Sequence, residues 1–140
     1  MAELRVEHPS VVVVLGSREA CDAFDVPDGT TPMRIAPGEL MLVDAPGVAE
    51  VRVPTGSAPW VEDVSDAWVA LVLEGVDALD AFARLSELEL PVDGWIQGEV
   101  VRAAAKVLVA GDRVAILVPA MLATHVEDRI RTDAAEVLDS

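Results

Sequence analysis

Apolar residues in this chain fall into short runs that end at glycine, proline or an acidic residue. Runs of this kind, rich in valine and leucine, are typical of β-strands. In the first half they predict strands at residues 11–15, 33–35, 40–43 and 48–53. In the second half they predict strands at residues 68–73, 99–110 and 113–118. Residues 11–15 include no polar side chain, so this strand is expected to be buried on both faces.

Two turns are expected to join neighbouring strands as hairpins. Ala36-Pro37-Gly38-Glu39 separates the runs at 33–35 and 40–43, and it contains the proline and glycine that tight turns favour. Gly111-Asp112 lies between the last two strands and suits a two-residue hairpin turn.

Three stretches carry the signals of helices. Ser17 predicts the N-cap of a short first helix, because its hydroxyl can accept a bond from a free backbone N–H. Residues 77–90 have apolar side chains at helical spacing, with Leu79 expected on the core side. Pro119 is expected to start a last helix that runs to the C-terminus with Met121 on its core side.

The two halves of the chain repeat the same order of patterns. Each contains a strand, a glycine, a helix with Asp-Ala-Phe, and later a strand–turn–strand with a glycine in the turn. This predicts one domain over residues 1–140, built from duplicated β-α-β-β halves at about 10–56 and 60–138, and the fold class is α+β. Duplication requires both Phe24 and Phe82 to be buried. The alternative is that two hairpins of similar composition arose independently.

Composition and charge limit the classes of partner. Hydrophobic residues make up 52% of the 140, which is enough for a packed core. Ten basic and 25 acidic residues give a net charge of −15, which disfavours nucleic acid and anionic membranes. The acidity serves solubility or complements a basic partner. A charged N-terminus, a lone cysteine and short apolar runs favour the cytoplasm.

Residue types that carry catalysis or bind metals are few and scattered. His8, His125 and Cys21 are far apart in sequence and make no metal-ligand pattern. Cys21 is expected to pack in a core, since the adjacent Asp22 opposes thiolate formation. Gly16-Ser17 lacks the further glycines and the lysine of a phosphate loop. We therefore expect no catalytic residue, no metal and no enzymatic activity in this chain alone.

Two polar clusters are candidates for binding. Arg34 and Glu39 flank the first hairpin turn, where they can pair across it or contact a partner. In the second cluster, Asp63 and Ser65 have the residue types of a turn.

The tryptophans Trp60 and Trp68 flank that second cluster. They would mark an interface if exposed and a core if buried. Asp63 with Trp60 or Trp68 is the one candidate set for a small-molecule pocket. Candidate interface residues are thus Arg34, Glu39, Trp60 and Ser65.

Three segments in order resemble the gamma subunit of heterotetrameric sarcosine oxidase. They are residues 34–42 (RIAPGELML), residues 61–78 (VEDVSDAWVALVLEGVDA) and residues 79–91, which end in Leu-Glu-Leu-Pro. That subunit is similar to the folate-binding domain of the glycine-cleavage aminomethyltransferase. The resemblance covers most of the chain and implies two intertwined, ferredoxin-like halves, with helices packed on antiparallel or mixed sheets.

The resemblance also implies a function. The implied function is that of an accessory subunit in a complex that oxidatively demethylates sarcosine or a related N-methyl amino acid. FAD or FMN, NAD and folate would belong to larger partner subunits. Ser86-Glu87-Leu88-Glu89 replaces the Asn-Asp pair of aminomethyltransferase-like sequences, so no matching residue carries over folate binding. The alternatives are self-association and a free-standing binder of folate or a related one-carbon carrier.

Overall fold

The computed structural model describes residues 1–45 and 60–139, so the strand expected at 48–53 lies outside the described residues. The described chain is α+β, as predicted, with strands in two antiparallel sheets. The strands are β1 Glu3–Glu7, β2 Val11–Leu15, β3 Thr31–Ala36, β4 Glu39–Val43, β5 Trp60–Asp63, β6 Trp68–Glu74, β7 Asp93–Val100, β8 Ala103–Ala110 and β9 Arg113–Pro119. The α-helices are α1 Arg18–Asp22, α2 Ala78–Ala83 and α3 Ala123–Asp133.

The chain divides into two units. The first unit is Pro9–Asp66, and the second unit combines Met1–His8 with Ala67–Ser140. The first unit contains a sheet of order β3-β4-β2-β5, and the second contains a sheet of order β1-β6-β9-β8-β7. Strand β1 therefore belongs to the second unit, although it precedes the first unit in sequence.

In the first unit, valine and leucine side chains of β2 and β4 pack with those of α1. Val14, Leu42, Cys21 and Phe24 belong to this core, and Phe24 is 8% exposed. The Ser17 hydroxyl accepts a hydrogen bond from the Ala20 N–H at 3.0 Å, so the predicted helix cap is confirmed. Strand β3 contains a proline, which the ladder tolerates because β3 lies at the sheet edge.

The hairpin of β3 and β4 forms as predicted, and Gly38 in its turn allows a close approach. A Cβ atom at Gly38 would lie 2.4 Å from the backbone oxygen of Gly16. The Gly16 N–H donates to the Gly38 carbonyl at 2.9 Å, so the turn is tied to the end of β2. Any side chain at position 38 would break this contact.

In the second unit, α2 and α3 pack on the central strands of the sheet. Helix α2 contacts β6 and β9, and α3 contacts β6. Leu71, Ile116, Phe82 and Ile130 are each at most 1% exposed and form the middle of this core. Burial of some 20 apolar residues, at roughly 25 cal/mol per Å², is the main stabilising contribution to this unit.

The helix expected at 77–90 is much shorter than predicted. Helix α2 ends at Ala83, where the N–H of the C-cap Arg84 bonds the carbonyls of Ala81 and Phe82 rather than the carbonyl four residues back, and Ser86 then bonds a different element. The Ser86 hydroxyl donates to the Glu99 carbonyl at 2.7 Å and accepts from the Leu88 N–H at 3.1 Å. Leu79, expected on the core side, is 51% exposed. We call the irregular segment 84–92 that follows α2 the arm.

The long strand expected at 99–110 is instead two strands. Val101 and Arg102 form the turn between β7 and β8, and their φ angles are 42° and 69°. Positive φ is unfavourable for residues with a Cβ, so Val-Arg gives no turn signal in the sequence. The Gly111-Asp112 turn between β8 and β9 is confirmed, with φ of 62° at Gly111.

The last helix begins later and ends earlier than expected. Pro119 ends β9, a short 3-10 turn follows over Ala120–Leu122, and α3 begins at Ala123. Met121 lies in that turn and is 88% exposed, so its expected core position is wrong. Beyond α3, backbone bonds of 2.8 Å join Ala2 to Val137 and Asp139 and hold the tail as a parallel bridge.

Candidate functional site

Arg34 does not pair with Glu39. Its Nη2 atom lies 2.5 Å from Asp22 Oδ1 and also donates to the Pro37 carbonyl at 2.9 Å. Arg34 lies opposite Leu40, and successive side chains of a strand point to opposite faces, so Glu39 points away from the face of Arg34. Arg34 therefore ties α1 to the hairpin turn, and its first role is structural.

Ser65 and Asp63 form the turn that follows β5. The Ser65 hydroxyl accepts a hydrogen bond from the N–H of Val11 at 2.8 Å. Asp63 Oδ1 accepts from the Ser65 N–H at 2.9 Å, and hydrogen bonding by Ser65 lowers the pKa of the Asp63 carboxyl. The turn thus satisfies the backbone of a fully buried residue, Val11.

Trp60 is a surface residue of the first unit. Its indole is 63% exposed, and Nε1 donates to Glu62 Oε2 at 3.0 Å. It lies opposite Leu15, which is itself 41% exposed, so β2 and β5 present two adjacent apolar side chains. An exposed tryptophan of this kind suits an interface.

Trp68 belongs to the second unit and has different surroundings. It is half-buried at the start of β6, and the Lys106 ammonium lies 4.8 Å from the centre of its ring. Gln97 and Glu99 line the same cleft, of about 350 Å³. The expected pocket set of Trp60, Asp63 and Trp68 is thus divided between the two units.

The two histidines and the cysteine, the remaining chemically reactive candidates from the sequence, differ in exposure. His8 and His125 are exposed, and Cys21 is buried with its thiol free. No group of three or more His, Cys, Asp or Glu residues within 1–45 and 60–139 is placed to hold a metal ion. No helix in those ranges is long and apolar enough to cross a membrane.

A network of ion pairs joins β1 to β6 and β9. Arg5 Nη2 lies 2.5 Å from Glu74 Oε1 and 3.3 Å from Glu7 Oε2, while Arg113 Nη2 lies 2.6 Å from Glu7 Oε1. The hydrogen bond from Arg113, with smaller help from Arg5, lowers the pKa of Glu7, although partial burial opposes the shift. The hydrogen bond to Glu74 raises the pKa of Arg5. Both pKa shifts are therefore explained by the ion pairs that join these strands.

An apolar groove that the sequence did not predict lies in the second unit between α2, the arm and β8. Its volume is about 590 Å³, and its lining includes Leu79, Phe82, Leu90, Val92 and Val109. We call it the α2 groove. Because Leu79 was predicted on the core side of one helix over 77–90, its exposed position beside this groove was not expected.

A second unpredicted cleft, of about 550 Å³, lies on the other side of the arm. Arg84, Arg102 and Arg129 line it together with Glu87, Glu99 and Asp133, so its charges balance. Arg84 bonds Glu136 at 3.2 Å, and Arg129 bonds Asp133 at 3.3 Å. Two of the three arginines are therefore already paired with carboxylates.

Comparison with solved structures identifies a chain with the same fold. The protein is similar to a chain of the heterotetrameric sarcosine oxidase from Corynebacterium sp. U-96, solved in complex with pyrrole 2-carboxylate, with a TM-score of 0.80 at 16% identity. The similarity covers 96% of this chain and 84% of that one. Aspartokinase III from E. coli matches with a TM-score of only 0.46, at 13% identity over 94% of this chain and 32% of that chain. No family model and no curated protein matches the sequence.

Proposed function

We propose that this chain is a non-catalytic accessory subunit of a flavin-dependent complex that oxidises sarcosine or a related N-methyl amino acid, comparable to the gamma subunit of heterotetrameric sarcosine oxidase. The observation that carries the proposal is the fold similarity at a TM-score of 0.80. Because the similarity covers most of both chains, it concerns a whole chain of that oxidase of nearly the same size. A similarity limited to one domain of a large enzyme would not support a subunit role.

The chemistry of the described residues supports an accessory role. Among residues 1–45 and 60–139, the groups with displaced pKa values are Arg5, Glu7 and Asp63, and each displacement follows from an ion pair or a turn hydrogen bond. Perturbed groups at an active site would instead converge on one cleft. In this proposal FAD or FMN, NAD and folate belong to the larger subunits, and the buried free thiol of Cys21 fits a cytoplasmic location.

Trp60 is the side chain most suited to an intersubunit contact among the four candidates from the sequence. Its exposure of 63% leaves a large aromatic face available to a partner. Arg34 and Ser65 are engaged in bonds within the first unit, and Glu39 is half-buried in β4. A tryptophan at the centre of an interface commonly dominates binding.

The test is affinity purification of the tagged protein from its native source, with mass spectrometry and a visible absorption scan. We expect larger chains to co-purify in stoichiometric amounts with flavin absorption. A colourless protein recovered alone would contradict the proposal. In that case, quenching of tryptophan fluorescence by folate derivatives would decide whether the chain is a free-standing binder, with Trp60→Phe and Trp68→Phe variants showing which indole responds.

A further inference from the structure

The α2 groove is formed in advance by contacts on both of its sides. On one side, the arm is held by the bonds of the Ser86 hydroxyl to Glu99 and Leu88. Leu88 also packs against Gly98, where a Cβ atom would lie 2.5 Å from its Cδ2. On the other side lies α2, whose Phe82 is 1% exposed and anchored in the core. The groove therefore needs no rearrangement to receive a ligand.

The side chains of the groove leave apolar surface facing outward. Leu79 is 51% exposed and Val92 is 93% exposed, and both line the groove. The groove offers few polar groups, since the Ser86 hydroxyl is already engaged in two hydrogen bonds. Exposed apolar surface of this kind is typical of protein-binding grooves, and it suits aliphatic or aromatic side chains better than a small polar ligand.

The charged residues of the groove all have the same sign. Glu87 and Glu89 line it, and no lysine, arginine or histidine does. Neither glutamate forms an ion pair within the described ranges 1–45 and 60–139. The whole chain carries a net charge of −15, so a second copy would bring further negative charge to this site. Charge complementarity favours a basic occupant.

We propose that the α2 groove binds a basic, amphipathic segment of the larger subunit with which this chain assembles. Apolar side chains of that segment fill the space between Leu79 and Val92, and its lysines or arginines pair with Glu87 and Glu89. This inference rests on the proposed function, because it names the surface through which the accessory subunit is held.

Two double variants separate the apolar contribution to binding at the α2 groove from the ionic contribution. Leu79→Ser with Val92→Ser removes exposed apolar surface, and Glu87→Lys with Glu89→Lys reverses the rim charge. Met121→Ser is the control for the first, because Met121 is 88% exposed outside the groove. Asp25→Lys with Asp28→Lys is the control for the second, since it changes the net charge equally at exposed positions of the first unit. Circular dichroism and thermal unfolding verify that each variant folds.

In the first experiment, each variant replaces the wild-type chain in the affinity purification. Both groove variants should retain about tenfold less flavin-bearing protein than wild type, and the controls should retain wild-type amounts. Retention of wild-type amounts by both groove variants would overturn the groove proposal and leave the accessory-subunit function standing. Absence of flavin-bearing chains from the wild-type sample would instead contradict the accessory-subunit function.

A second experiment tests the groove without the native partner. The full chain, labelled with ¹⁵N, is titrated with a synthetic helical peptide that carries leucines on one face and lysines on the other. We expect saturable shifts at Leu79, Leu90 and Val109, and affinity about tenfold lower in both groove variants only. Equal losses in the Asp25→Lys/Asp28→Lys control, or no saturable shift, would overturn the proposal. So would a dimer of the free chain that Leu79→Ser/Val92→Ser dissociates, because the occupant would then be a second copy.

Discussion

At the scale of single residues, the pKa shifts among the described residues are caused by ion pairs and hydrogen bonds within the fold. Glu7 accepts from Arg113 and Arg5, and this lowers its pKa in the folded protein. A carboxyl whose pKa is lower when folded adds stability above its unfolded pKa, and this stability is lost as the pH falls through the folded pKa. The side chain is 36% exposed, so solvent screening keeps the contribution small.

Glu7→Gln should therefore lower the free energy of unfolding by up to about 1 kcal/mol at neutral pH. The difference from wild type should shrink as the pH falls below the ordinary glutamate range, because both proteins then lack the charge. Urea unfolding across a pH series measures this. Glu89→Gln, at an exposed position outside any ion pair of the described residues, is the control and should show no such pH dependence.

Ser65→Ala should lower the free energy of unfolding by about 1–3 kcal/mol, because the N–H of the fully buried Val11 loses its acceptor. Denaturant unfolding measures the loss, and Ser10→Ala, at an exposed neighbouring position, should change it by less than about 0.5 kcal/mol. A Ser65→Ala protein of unchanged stability that no longer retains partner chains would instead assign Ser65 to the interface.

At the scale of secondary-structure elements, the turns of the second unit show how far local sequence determines conformation. Gly111-Asp112 carries the expected turn residue, and the turn forms where predicted. Val101-Arg102 carries none, yet both residues have positive φ. Pairing of Val100 with Ala103 and a bond from the Val101 N–H to the Leu85 carbonyl hold them there. These tertiary contacts offset the conformational strain of the two positive φ angles.

Matched substitutions at the two turns should have opposite effects. Arg102→Gly should raise the free energy of unfolding by about 1 kcal/mol, since glycine tolerates the φ of 69°. Gly111→Ala should lower it by a similar amount, because φ is 62° and no atom lies within 4 Å of the added Cβ, so only the backbone conformation is penalised. Thermal unfolding of both variants checks this, and a destabilised Arg102→Gly would show that the side chain contributes more than the backbone strain.

At the scale of the whole molecule, the main feature is that the order of the strands along the chain does not follow the division into two units. Strand β1 pairs with β6 in the second unit, and β5 pairs with β2 in the first. The orders β3-β4-β2-β5 and β8-β9-β6-β1 correspond if β1, which precedes the predicted first half of 10–56, pairs in the second sheet and β5, at the start of 60–138, pairs in the first. This correspondence supports the proposed intertwined duplication, which remains a prediction.

Leu4→Ala should destabilise the second unit in particular. Leu4 is 9% exposed and belongs to that unit's core, so its truncation should cost about 2 kcal/mol or more. Hydrogen exchange should show weaker protection of amides in β6 and β9 than in wild type, with β2 and β4 unchanged. Val6→Ala, at a position 42% exposed, is the control. Equal loss of protection in β2 and β4 would contradict the assignment of β1 to the second unit alone.

Several features of the fold and the candidate sites followed from local sequence. Val11–Leu15 formed a strand, Ser17 capped α1, and the turns at Gly38 and Gly111 joined hairpins. Burial of Phe24 and Phe82 was also predicted correctly. Each of these depends on side-chain volume, hydrogen-bonding type or backbone freedom, all of which act over a few neighbouring residues.

Other features were decided by contacts between distant residues. The apolar spacing over 77–90, with Leu79, Phe82 and Leu85 on one face, favoured one long helix, but α2 ends at Ala83 and the arm that follows it lines the α2 groove. Arg34 was near Glu39 in sequence, yet Asp22 was the carboxylate within its reach. Local propensities are worth less than about 1 kcal/mol per residue, so long-range packing and hydrogen bonds override them. The sequence alone therefore determined apolar strands such as Val11–Leu15, the Ser17 cap and the glycine turns, because these depend on neighbouring residues. The tertiary structure decided where the helices stop, where the strand expected at 99–110 divides, which charges meet and where the groove lies.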